Sequence, residues 1–117
     1  TSTPLQALAL LNDVQQVEAA RLIGERMLRE GGSTLEARLA WVFQLVTGRA
    51  ANPRELTILR RLYEEQAAAF AADPSEAERL TKMGEAPTDG SLPVAARAAG
   101  TVLAQMLLNF DETLMRR

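Results

Sequence analysis

Asn52-Pro53-Arg54-Glu55-Leu56-Thr57-Ile58-Leu59-Arg60-Arg61-Leu62-Tyr63 opens the stretch that decides the fold. Asparagine, then proline, then an acidic residue at the third helical position is a complete helix start. The Asn52 side chain can accept from a free backbone N–H, Pro53 has no N–H to leave unpaired, and Glu55 can reach back to the cap. Leu56, Leu59, Leu62, Tyr63, Gln66 and Phe70 then recur at three- and four-residue spacing, the stripe of one long helix. Asp73-Pro74-Ser75-Glu76 repeats the start signal, so a second helix begins where the first stops.

The same signals recur in both directions. Thr3-Pro4-Leu5-Gln6 is another capped start, and Asp13…Gln16 and Ser33…Glu36 share its spacing. Gly31-Gly32, Gly48 and Gly84 stand just past apolar-periodic runs, where a helix needs a left-handed residue to end. The expected helices are 4–11, 14–30, 34–47, 53–72, 74–83 and 93–108, with a short turn at 112–115. Only Gly84-Glu85-Ala86-Pro87-Thr88-Asp89-Gly90-Ser91-Leu92 reads as a substantial loop. No segment has strand period and no strong repeat recurs. The expected fold is therefore all-α, a compact bundle of about six helices forming a single domain over 1–117.

Face assignments follow from the periodicity. In 14–30, Val17, Ala20, Gly24, Met27 and Leu28 share the apolar face, while Glu18, Glu25, Arg26 and Arg29 share an opposite face expected to be wetted. In 34–47 the stripe is Leu35, Leu39, Val42, Phe43 and Val46. Leu5, Leu8, Leu10 and Leu11 make the first helix apolar nearly all round, and Val94 to Leu108 is similar. Such helices are buried on several sides. The last long helix is expected to be central, flanked by the first, with Gly100 allowing a neighbour close.

Composition narrows function mainly by exclusion. Apolar residues make up 47% and aromatics only 4%, an Ala- and Leu-carried mixture that favours helices over sheets. Thirteen basic residues against fifteen acidic ones, interspersed to a net charge of −2, lack the clustered basic excess that nucleic acid requires. The chain has neither cysteine nor histidine. It cannot by itself assemble a Cys/His zinc site, a haem attachment, a Ser-His-Asp triad or an imidazole acid/base. No cofactor or metal is expected, and no apolar run approaches the ~18 residues of a membrane span. The chain opens on a helix start with no initiator Met, as a piece of a longer protein would.

Few residues are candidates for chemistry. Asp111 and Glu112, with Asn109 before them, form the densest polar cluster beside apolar sequence. Paired carboxylates can bind a hard cation, but adjacent side chains diverge, and Asp at a helix start is ordinary capping. Gly31-Gly32-Ser33-Thr34 could cradle an anion at a helix N-terminus, but it lacks a preceding strand and a phosphate-loop spacing. Met27, Met83, Met106, Met115 and Trp41 could line a pocket and read first as core filler. Trp41 lies off the main stripe near Arg38 and Leu45, which suggests a second contact surface. Arg49, directly after Gly48, is expected to cap carbonyls or pair with a carboxylate.

Four motifs carry a resemblance. They are Thr3-Pro4-Leu5-Gln6-Ala7-Leu8-Ala9-Leu10-Leu11-Asn12-Asp13, Leu45-Val46-Thr47-Gly48-Arg49, Met83-Gly84-Glu85-Ala86-Pro87 and Leu107-Leu108-Asn109-Phe110-Asp111-Glu112-Thr113. Together they resemble the C-terminal part of the planctomycete-type family called domain of unknown function 1553. The resemblance implies a large extracytoplasmic parent, periplasmic or at the cell surface, often with a cytochrome c-like module upstream. It implies no known reaction and transfers no catalytic residue. Its recurring positions here, Pro4, Gln6, Asn12, Asp13, Gly48, Arg49, Asn109, Asp111 and Glu112, coincide with expected caps and turns.

The leading expectation is a non-catalytic interaction or scaffolding module at the C-terminal end of a larger protein. Its partners would be other domains of that parent or another protein. The rival makes the domain one wall of a redox or hydrolytic enzyme, contributing Asp111, Glu112 or Arg49 to a cleft completed by other domains. A third reading, a small-ligand-binding bundle, rests on the apolar helices alone.

Overall fold

A computed structural model describes residues 14–115, with side chains to Phe110. The chain is all-α. Five helices are seen among the described residues: α1 Val14–Glu30, α2 Leu35–Thr47, α3 Pro53–Ala72, α4 Pro74–Thr81 and α5 Val94–Met115. The helix expected at 4–11 lies outside the described residues.

The caps that framed the helices in the sequence are made. Asn52 accepts from the Glu55 N–H at 2.8 Å, and the Glu55 carboxylate accepts from the Asn52 N–H at 3.0 Å. Asp73 serves two helices at once. Its N–H closes α3 onto Ala69 and Phe70, and its side chain accepts from the Glu76 N–H at the start of α4. Gly48 ends α2 with φ +81, and its N–H bonds the Gln44 carbonyl.

Some boundaries differ from expectation. Thr34, not Ser33, caps α2, accepting from the Ala37 N–H at 3.1 Å. α4 stops at Thr81, two residues early, where the Thr81 hydroxyl turns back onto the Ala77 carbonyl. The larger correction concerns the end of the chain. Instead of a helix to 108 and a separate turn at 112–115, α5 continues unbroken to Met115. Neither glycine nor proline interrupts 101–115, and Gln16 of α1 donates to the Asn109 side-chain oxygen at 3.3 Å. Asn109 is thereby held sideways across the bundle, away from a capping role.

α5 is the axis of the bundle and packs against each of the other four. One side, with Ala99, Leu103 and Leu107, joins Met27, Leu39, Val42, Phe43, Leu59 and Tyr63. Another, with Ala98 and Val102, joins Val17, Phe70, Ala77 and Leu80. α1 runs antiparallel along it, with Gln16 beside Asn109 at one end and Gly24 against Gly100 further along. A Cβ on Gly24 would fall 2.7 Å from the Gly100 carbonyl carbon, so the two backbones touch. The close approach expected at Gly100 depends chiefly on the glycine facing it, Gly24, since a Cβ on Gly100 itself would come no nearer than 3.3 Å.

Candidate functional site

Three places gather polar or unsatisfied surface: the loop between α4 and α5, the α2–α3 corner, and the end of the bundle where α5 finishes.

The loop crosses the face of α1 that looked wetted in the sequence. Glu18, Arg21, Glu25 and Arg29 recur at three- and four-residue spacing and so form a row along the helix. The Arg21 guanidinium is 1% exposed and donates to the carbonyls of Met83 at 2.5 Å, Ala86 at 3.0 Å and Pro87 at 3.4 Å. Glu18 accepts from the backbone N–H groups of Glu85 and Ala86. Glu25, 4% exposed, accepts from the Asp89 N–H, and Arg29 pairs with the Asp89 carboxylate at 2.9 Å. Ser91 and Arg29 hold the Asp89 carboxyl below its ordinary range, the Ser91 hydroxyl contributing most. Gly84 makes the crossing possible. Its φ is +88, and a Cβ there would fall 2.8 Å from the Glu18 side chain.

This arrangement corrects the sequence reading, in which Glu18 and Glu25 faced water. It is a strap: α1 reads the main chain of 83–89 and satisfies it. Burying a guanidinium is costly unless its donors are met, and three main-chain carbonyls meet the Arg21 Nη donors. The two Nη atoms are in use, while the buried Arg21 Nε has no hydrogen-bond partner among the described residues.

At the α2–α3 corner, Arg49 forks onto Glu55 at 3.0 and 2.7 Å, and its guanidinium stacks 4.9 Å from the centre of the Phe43 ring. It also donates to the Ala50 carbonyl at 3.3 Å. The Glu55 carboxyl falls from about 4.5 to about 2, through the Arg49 bond first and the Asn52 N–H second. Both readings offered for Arg49, carbonyl partner and carboxylate partner, are realised in one contact. The pair closes the Gly48–Asn52 turn.

The other sequence candidates disperse. Asp111 and Glu112 sit within the continuous α5, not at a helix start. Their side chains lie outside the described ones. Among the described residues no three acidic side chains gather as a cation site. At Gly31-Gly32, the Gly31 N–H bonds Met27 and the Gly32 carbonyl accepts from Arg38, so the turn is closed from both sides. Trp41 is half-buried, with the Arg26 guanidinium 5.3 Å over its ring and the main core cluster beneath. Met27 is core and Met83 packs at its margin. Met106 alone borders an open recess.

That recess is what the sequence did not show. Phe43, Ile58, Leu62, Met106, Leu107 and Phe110 line a groove of about 230 Å³ between the end of α2, the start of α3 and the end of α5. Glu55 is the one charged residue on its wall, and Arg49 already holds it. Ile58 is 51% exposed and Phe110 47%. In the sequence, Ile58 falls off its helix stripe and Phe110 lies between the expected helix 93–108 and the turn at 112–115, so neither pointed to a shared surface.

Comparison with known proteins gives one match. A family model described as protein of unknown function (DUF1553) matches residues 1–63, more than half of the chain. The chain belongs to the DUF1553 family. The match takes in α1, α2 and the first half of α3, and with them Arg21, Arg49, Glu55 and Ile58. The stretches 83–87 and 107–113 that also carried the resemblance lie beyond the matched residues, the first as the strapped segment and the second within α5. No curated protein and no solved structure matches this DUF1553 chain.

Proposed function

We propose that this chain is a non-catalytic interaction or scaffolding module at the C-terminal end of a larger secreted or surface-associated bacterial protein. Its partner would be another domain of that parent. The open apolar groove carries the reading. A recess lined by aliphatic and aromatic side chains binds by removing apolar surface from water, at roughly 25 cal/mol per Å². Exposed Ile58 and Phe110 on its rim are the kind of anchors that dominate protein contacts. Arg21, Glu18, Glu25, Arg49 and Glu55 are engaged with the chain itself, which supports structural roles for them. The extracytoplasmic compartment rests on the family resemblance alone.

The test is binding between this chain and the separately expressed remainder of the parent. Ile58→Asp with Phe110→Asp should weaken that association by at least tenfold while helix content stays unchanged. Leu45→Asp, an exposed apolar site elsewhere, should leave it as it was. Equal binding by all three proteins would remove the groove from the function.

A further inference from the structure

We propose that Asp89–Gly90 is a site of covalent self-modification, the rearrangement of aspartate to isoaspartate, and that Arg29 and Ser91 guard it. Once rearranged, the strap loses its hold at Asp89. The inference is independent of the groove and of what binds there.

Among the four aspartates and three asparagines of the chain, Asp89 alone is followed by glycine. The reaction favours that neighbour. The Gly90 main-chain nitrogen attacks the Asp89 side-chain carbon, and a residue without Cβ leaves the approach unhindered. Apart from its chain neighbours, no atom lies within 4 Å of where a Gly90 Cβ would stand, and Gly90 and Ser91 are exposed to water. In the first step the N–Cγ bond forms and a Cγ–O bond breaks. One water leaves, made of the carboxyl hydroxyl and the amide proton. Water then adds back to the succinimide ring at either of its carbonyls. One addition restores aspartate, and the other leaves the main chain running through Cβ. Nothing is oxidised or reduced, and solvent is the only co-reactant.

The structure holds this chemistry back. One oxygen of the Asp89 carboxylate accepts from the Ser91 N–H at 3.0 Å and from the Ser91 hydroxyl, and the other accepts from Arg29 at 2.9 Å. A carboxylate is a far poorer electrophile than the neutral acid, and these contacts keep the carboxyl below its ordinary range, the Ser91 hydroxyl first. Ring closure also needs rotation within the Asp89 main chain, which is fixed on both sides. Its N–H donates to Glu25 at 3.3 Å, and its carbonyl accepts from the Leu92 N–H at 3.2 Å. Arg29 stands 3.7 Å from Glu25 as well, so one guanidinium braces the side-chain and main-chain anchors together.

Isoaspartate lengthens the main chain by one atom at 89 and moves the carboxylate onto Cα. The contacts with Glu25 and Arg29 both depend on the original spacing. The flank of the strap nearest α5 therefore comes free, while Arg21 keeps its bonds to Met83, Ala86 and Pro87.

The test ages the full chain at physiological temperature and near-neutral pH, and reads isoaspartate at each aspartate by enzymatic methyl labelling and fragmentation mass spectrometry. Arg29→Ala with Ser91→Ala should accelerate rearrangement at Asp89 at least fivefold over the unaltered chain. Both sites are on the surface, so helix content should be unchanged. Adding Gly90→Ala should return the rate to the unaltered chain's value or below, since a methyl group fits there and hinders only the attack. Leu59→Ala, which loosens the core in α3 without touching the loop, should leave the Asp89 rate within twofold. A guardless chain that rearranges no faster than the unaltered one would overturn the proposal. Equal acceleration by Leu59→Ala would do so too, because protection would then come from global folding and not from Arg29 and Ser91.

Discussion

Gly24 and Gly100 meet backbone to backbone: a methyl group on Gly24 would come within 2.9 Å of both the Gly100 oxygen and the Thr101 nitrogen. The two glycines are not equivalent, because a methyl on Gly100 would approach Gly24 no closer than 3.3 Å. Alanine gains about 1 kcal/mol over glycine in a helix interior. At Gly24 the clash is with main chain, which cannot swing aside, and overpacking of that kind costs about 1–3 kcal/mol. Gly24→Ala is therefore expected to be clearly destabilising, and Gly100→Ala close to neutral. Thermal melts of the two variants decide it, and a Gly24→Ala protein as stable as its parent would mean that α1 and α5 stand further apart.

Arg21, 1% exposed, is the most deeply buried charged residue among the described residues. Arg21→Met keeps most of its length and leaves three backbone carbonyls without their donor. Hydrogen bonds to a charged group contribute about 1.5–3 kcal/mol each, and losing this set should cost about 3 kcal/mol in all. The loss should also be local in character. Hydrogen exchange at Glu85, Ala86 and Asp89 should accelerate far more than in α3, since the strap is released while the core stays packed. Uniform acceleration would show that the strap and the core open as one unit.

Glu55 gives the chain an acid limb. Its carboxyl is held at about 2 in the folded protein against about 4.5 ordinarily, so protonation is harder folded than unfolded. The resulting stabilisation is complete above about pH 4.5 and is lost as pH falls toward 2. Glu55→Gln should flatten stability across that window and leave the rest of the profile in place. Arg49→Ala should do much the same, because the Arg49 bond is the larger of the two causes. Denaturation midpoints measured from pH 6 to pH 2 test both.

Gln105 is buried to 2% exposure, and neither its side-chain oxygen nor its nitrogen has a hydrogen-bond partner among the described residues. An unsatisfied buried amide costs about 1–3 kcal/mol. Gln105→Met, close in shape, should raise stability by about 1 kcal/mol. A loss of stability instead would place a polar partner at that amide in solution.

Much of the fold was legible because caps and stops are local signals. Asn52 through Glu55 and Asp73 through Glu76 set both ends of α3 and the start of α4, and the structure satisfies them through the groups the sequence offered. The end of the chain was misread for a related reason. Asn109 and Asp111 are residues that favour caps, but whether a helix stops there depends on what else holds them, and Gln16 lies ninety-three positions away. The strap was illegible on the same account. A helical wheel sorts Glu18 and Glu25 by angle and cannot see a loop from elsewhere covering that angle. Main-chain carbonyls, the groups Arg21 binds, carry no signature in sequence. The groove was hidden because it belongs to no element: three helix ends make it jointly, and each stripe taken alone gave no warning.

The manner in which the strap is held has a practical corollary. Arg21 and Glu18 grip peptide groups, so 84–88 is held chiefly through its main chain, between Met83 packed at the core and Asp89 paired with Arg29. Gly84 is fixed by its left-handed backbone, while Glu85 and Thr88 turn outward to solvent. The segment is thus a ready-made display loop, pinned at both flanks to a rigid helix, in which foreign residues can be varied for selection without disturbing the scaffold that presents them.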